Sequence, residues 1–183
     1  MRSSFFITLF LLVGLSLSAQ TIDQARLETL TEKQWQSGLR LLNELVSMPN
    51  DAVFPEQIAV NIAWCEKAFT ARNWSVAQLE TGGIPLLLVE KKQPNAKKTA
   101  LFYFHVDGQA VDISKWDQKD AYQPVLKAQS ANGTWEQLPM ERLQSEYNPD
   151  WRIFGRSTSD DKGPLAMFLT AWDALSEAGI SPD

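Results

Sequence analysis

Apolar positions along this chain fall into three helical stripes and several short extended blocks. From Thr21 to Met48, Leu27, Leu30, Trp35, Leu39, Leu42, Leu45 and Val46 recur at helical spacing, and Pro49-Asn50-Asp51 stops the pattern. Gly38 lies inside that stripe, where glycine costs about 1 kcal/mol against alanine, so a break or bend is expected there. A second helix is expected from Pro55, a residue suited to a first turn because its missing N–H has no helical partner there. Ile58, Ile62, Cys65 and Phe69 form its buried stripe, and Asn73-Trp74 ends it. Residues 75–80 and Ile84 to Val89 read as two strands around Thr81-Gly82-Gly83, with Pro85 at a strand start or open edge. Lys91 to Lys98 is polar and reads as a loop. Thr99 to Val106 is a near-continuous apolar run, the signature of a central strand buried on both faces. Residues 128–149 are polar and mixed, with turns at Asn132-Gly133 and Asn148-Pro149. Trp151 to Phe154 is a short strand, and Gly163 to Gly179 a last helix facing inward through Leu165, Phe168, Leu169, Trp172 and Leu175. The order predicts an α/β fold with a mixed, partly parallel sheet flanked by helices.

The first twenty residues read differently. Met1-Arg2 gives a positive start, Phe5 to Leu17 is an apolar run of thirteen residues, and Ser16 to Gln20 offers small residues for cleavage. A membrane-crossing helix needs about 20 apolar residues, so residues 1–20 are expected to be a cleaved signal peptide. No cysteine follows the run to carry a lipid. Residues 21–183 are then a secreted or periplasmic chain with no membrane attachment.

Composition narrows the chemistry. With 44% hydrophobic and 10% aromatic residues, the chain can bury a core. Seventeen basic residues against twenty-two acidic ones argue against a nucleic-acid partner, which needs a positive surface. One cysteine excludes an intrachain disulfide or an all-cysteine zinc site, and Cys65 is expected to be simply packed. One histidine limits the chain to a single imidazole ligand or base.

Two clusters carry chemistry. In Phe104-His105-Val106-Asp107-Gly108, a histidine stands at the carboxyl end of an apolar strand, where α/β sheets place ligands. Strand alternation sends His105 and Asp107 to one side, so the carboxylate is available to accept the second imidazole N–H. A lone histidine there is more often a structural residue making a hydrogen bond. The second cluster is Gly155-Arg156-Ser157-Thr158-Ser159-Asp160-Asp161-Lys162-Gly163-Pro164, between a strand and a helix. Asp160 and Asp161 suit capping of that helix with Lys162 as counter-charge, or one of them suits a metal. Adjacent carboxylates cannot both enter one small site without distorting the backbone, so one direct ligand is expected. Arg156 and Lys162 raise a phosphate loop, but the loop lacks the G-x-x-x-x-G-K-[ST] pattern and two carboxylates repel phosphate.

His105-x-Asp107-Gly108, Trp116, and Gly155-Arg156-x-x-Ser159-Asp160-Asp161-Lys162-Gly163-Pro164 together resemble the M-twenty family of metallopeptidases. These are di-zinc enzymes that include carnosinase-like dipeptidases, aminoacylases, glutamate carboxypeptidases and succinyl-diaminopimelate desuccinylases. Leu45-Val46-Ser47-Met48-Pro49 and the helix from Pro55 extend the resemblance over nearly all of residues 25–180, and Asp-Asp-Lys-Gly-Pro leans toward the dipeptidase branch. The resemblance implies that residues 21–183 are the N-terminal part of a di-zinc peptidase catalytic domain. It also implies that His105 binds one metal, that Asp160 bridges two, and that Asp107 is the catalytic-site carboxylate orienting His105. A cis peptide after Asp160 is often seen in the family. Asp161 falls at a variable position and is assigned no metal. Ser157 stands where relatives commonly have glycine, and residues 128–149 resemble an insertion.

The resemblance further implies two divalent ions, zinc with manganese or cobalt as alternatives, and a small peptide or N-acyl amino acid as substrate. A homodimer is implied only for the complete protein. The family's paired glutamates, further acidic ligand and second histidine fall beyond Asp183, so the expected activity is metal-dependent hydrolysis of peptide or amide bonds, absent from this chain alone. Two other readings remain at this point: an exported, non-catalytic metal- or peptide-binding α/β module, and an exported scaffold whose motif residues are structural.

Overall fold

Asp23 accepts a hydrogen bond from the Arg26 N–H at 2.8 Å and so starts the first helix, α1 (Gln24–Val46). The computed structural model describes residues 22–94 and 96–180, and the expected signal peptide at residues 1–20 lies outside them. Among the described residues no helix is long and apolar enough to cross a membrane. Gly38 does not break α1. A Cβ there would stand 2.9 Å from Thr170 Oγ1, so the missing side chain lets α1 lie close against α3 (Gly163–Glu177).

Between them in sequence, α2 (Pro55–Thr70) begins on Pro55 and buries Ile58, Ile62, Cys65 and Phe69, the expected stripe. Leu45, Cys65, Phe69, Leu165, Ala166 and Leu169 from the three helices form one core cluster. Burial pushes the Cys65 thiol up to about 12, with the Lys162 charge opposing and Glu66 adding to it, so this cysteine is protonated packing at neutral pH.

The chain then turns at Asn73 into an antiparallel hairpin, β1 (Ser75–Leu79) with β2 (Leu86–Glu90), in the register Ser75 to Glu90 and Leu79 to Leu86. Pro85 stands just ahead of β2, where no ladder N–H is needed. Farther on, β3 (Val125–Gln129) lies between β4 (Trp135–Leu138) and β5 (Arg152–Phe154), both antiparallel to it.

The fold is α/β, with three corrections to the sequence expectation. Both sheets are antiparallel, and parallel pairing among the described residues is confined to one bridge between Asp51 and Gly108. Thr99 to Val106 is not a buried central strand. Leu101, Phe102 and Tyr103 are 88%, 60% and 79% exposed, and only Phe104 and Val106 reach the core cluster. The apolar run records what the segment is suited to, whereas a strand also needs neighbours to complete its ladder, and the described residues supply none. Third, residues 128–149 are no featureless insertion. They hold the end of β3, a turn with Gly133 at φ 86°, the whole of β4 and a short turn of helix at Met140–Gln144. β4 is almost entirely exposed, so it lacks the apolar alternation by which a strand is recognised.

Candidate metal centre

The loop after β5 is built to bend. Ser157 adopts φ 59°, the left-handed region that favours glycine. The chain then winds a wide turn over Thr158–Lys162, interrupted at Asp160 (φ −132°, ψ 92°), before α3 begins. The bond between Asp160 and Asp161 is cis.

This bend carries Asp160 to His105. Asp160 Oδ1 lies 2.8 Å from His105 Nε2, and on the other side of the ring Asp107 Oδ1 and the Asp107 carbonyl each lie 3.2 Å from Nδ1. The imidazole is thus held between two aspartates. Their exposure differs: the His105 side chain is 32% exposed, Asp107 53% and Asp160 86%. All three line one cleft of about 510 Å³, with Asp51, Trp116 and Arg156 around them. The Arg156 Nε is buried there without a hydrogen-bond partner among the described residues.

Asp161 does something the sequence did not announce. Its Oδ2 accepts from the main-chain N–H of His105 at 3.3 Å, so the two adjacent carboxylates hold the same residue by ring and by backbone. Neither caps α3, whose N-terminal residue makes no side-chain capping bond and whose first turn has no acid. Lys162 is no counter-charge to them either. It is fully buried, and its Nζ donates to the Leu45 and Met48 carbonyls, each at 2.7 Å, at the end of α1. Burial lowers its ammonium to about 8, with Cys65 opposing. The capping reading of this loop loses its residues, and the phosphate reading loses Lys162.

The donor set suits a divalent cation in part. Two donors each about 2 Å from one ion lie roughly 3 Å apart, which is the spacing of His105 Nε2 and Asp160 Oδ1. Asp51, a further carboxylate in the cleft beside Asp107 and Asp160, is engaged with the Val53 N–H at 3.0 Å. Among the described residues no group of three or more His, Cys, Asp or Glu side chains is placed to hold a metal. Two donors fit an open edge of a site and do not close one.

Burial alone would depress the His105 imidazole. The Asp160 hydrogen bond, the Asp107 carbonyl and both negative charges outweigh it and hold the ring above its ordinary 6.5. A histidine raised in this way stabilises the fold fully below pH 6.5, and the contribution fades as pH rises through the raised value. Because the chain has one histidine, an NMR titration of the metal-free protein reads it directly. The midpoint is expected above 6.5, and one at or below 6.5 would contradict the Asp160 contact.

The sequence reading also missed Asn50, taken only as part of a helix stop. It is completely buried between the two motif segments. A polar residue that ends a helix without a charge or turn to satisfy was the available signal.

No family model matches the chain, and no curated protein matches it. Among solved structures, the fold is similar to the crystal structure of human carnosine dipeptidase 1, with a TM-score of 0.64 and 20% sequence identity. The match covers 85% of this chain and 31% of that one, so the chain spans less than a third of the length of that structure. At this identity the likeness is one of fold: the chain has an α/β architecture similar to part of a peptidase.

Proposed function

We propose that this chain contributes part of the catalytic centre of an exported, metal-dependent hydrolase of peptide or amide bonds, dipeptidase- or carboxypeptidase-like. The observation that carries this reading is the meeting of His105 Nε2 and Asp160 Oδ1 at 2.8 Å, with Asp107 on the far ring nitrogen. The fold likeness to a dipeptidase supports it. His105 and Asp160 would hold a divalent cation, zinc or else manganese or cobalt. When bound, such ions bring a water toward neutral pKa and polarise the carbonyl under attack.

The chain's own residues supply position and charge. Asp107 is placed to accept the Nδ1–H, so that with an ion bound in place of the Nε2 proton, Nε2 would be the atom left to face it. Asp160 brings an anionic oxygen to the same point, and Asp161 holds the His105 backbone. The reading takes the general base and the remaining ligands from outside the described residues, among which no group of three or more such side chains is placed to hold a metal.

A second reading, a non-catalytic metal- or peptide-binding module, is favoured by that same shortage of donors. The test is to titrate the purified chain with cobalt(II) and to assay dipeptide hydrolysis with zinc present. Weak cobalt binding without turnover is the expected result for the chain. Zinc-dependent turnover would overturn the assignment of a missing base, and failure to bind cobalt would overturn the metal centre.

A further inference from the structure

We infer that Asn50 is a positioning residue of the candidate metal centre, a fully buried side chain that fastens the His105 segment to the Asp160 loop from beneath; the inference rests on the metal-centre reading above. Its Nδ2 donates to the Val106 carbonyl at 2.7 Å and to Ser157 Oγ at 3.0 Å. Val106 stands between His105 and Asp107, and Ser157 is the left-handed residue from which the turn to Asp160 begins. The Asn50 main chain joins in, its carbonyl accepting the Gly108 N–H at 2.6 Å, while the Ala52 N–H donates to the Gly108 carbonyl at 2.9 Å. One residue in the middle of the α1–α2 connection therefore touches both motif segments, and it does so with no exposure at all.

The groups it serves are far more open, up to 86% for Asp160, and an exposed carboxylate has no packing of its own to hold its direction. A frame beneath it must do so. Asn50 also carries a cost that packing alone does not explain: its Oδ1 is buried with no hydrogen-bond partner. An unsatisfied buried amide oxygen is destabilising, and a leucine, with the same number of side-chain heavy atoms, would avoid that penalty. What a leucine cannot do is donate to two acceptors on two segments. The orientation of the amide follows from the same contact, because an oxygen turned toward the Val106 carbonyl would be repelled. Gly108 fits the arrangement, since a Cβ there would lie 2.7 Å from Ser157 Oγ and 3.0 Å from Asn50 Oδ1, displacing the side chain that makes the tie.

The experiment compares the wild-type chain with Asn50→Leu. Two readouts are taken: the ¹⁵N and ¹³C imidazole spectrum of the sole histidine in metal-free protein, and the affinity and visible absorption bands of bound cobalt(II). Asn50→Leu is expected to shift the imidazole resonances away from those of the hydrogen-bonded ring. It is also expected to weaken cobalt binding about 10–100-fold, the usual range when support behind a ligand is removed, with altered bands. A folded variant with the wild-type imidazole spectrum and cobalt affinity overturns the inference. If Asn50→Leu does not fold, Ser157→Ala decides, because it removes one acceptor and little volume. The same changes in smaller degree support the tie, and wild-type values refute it. Absence of cobalt binding by the wild type would overturn the metal-centre reading, and the metal-free imidazole comparison would then still decide on Asn50.

Discussion

Asp160→Ala is expected to abolish cobalt or zinc binding at the cleft while leaving the stability of the fold within about 0.5 kcal/mol of wild type. The reasons are separate. Its side chain is 86% exposed and its partner is the His105 ring, so truncation removes almost no packed surface. Yet it takes away one of only two donors that converge, a loss larger than the roughly 10–100-fold typical of groups behind a ligand. The metal-free variant offers a second measurement. With the Asp160 hydrogen bond and charge gone, two of the causes that raise the ring are lost, and the His105 midpoint should fall from its raised value. Metal titration and the histidine NMR titration check both. An unchanged midpoint with unchanged metal affinity would remove Asp160 from the centre.

Gly163→Ala should do the opposite, damaging the fold first and the site through it. Gly163 opens α3 with ordinary helical angles (φ −63°), so its need for glycine is not conformational. A Cβ there would overlap the carbonyl oxygen of Thr158, a main-chain atom on the turn that presents Asp160. No side-chain rotation relieves a clash with backbone, so either α3 or the turn must shift. The expected destabilisation is about 3 kcal/mol, the upper part of the usual cost of overpacking. A denaturant midpoint measures it, and weaker cobalt binding should accompany it because Asp160 sits two residues into the displaced segment. Wild-type stability and binding in this variant would show that the turn is not wound as closely against the helix as the structure has it.

The three helices were legible because an amphipathic stripe is a local property. Ile58, Ile62, Cys65 and Phe69 record which side of α2 is buried whatever lies opposite. The β1–β2 hairpin was legible for a similar reason, its turn residues lying beside its strands in sequence. Thr99 to Val106 shows the limit of that logic. Its composition asks for burial, but burial depends on segments remote in sequence, and Leu101 to Tyr103 are left open. β3 and β4 were missed from the other direction, since β4 is held by its ladder to β3 and not by an apolar face.

The site divides in the same way. His105 and Asp107 could be raised as candidates from residue type, spacing and position, whereas the choice of Asp160 over Asp161 came from the resemblance to a metallopeptidase family. The sequence could also argue that Asp160 and Asp161 would not share one task, because neighbouring side chains on one backbone diverge. It could not say what the second carboxylate does instead, where Lys162 goes, or that Asn50 matters. Those answers depend on contacts across 56, 117 and 107 positions of chain, from Asp161 to His105, Lys162 to Leu45 and Asn50 to Ser157. Periodicity and turn chemistry act over a few residues, so the sequence by itself determined the helices, the α/β class and the residues able to carry chemistry. Hydrogen-bond partners for buried polar groups are chosen by whichever backbone the packed helices bring near, and only the tertiary structure decided those.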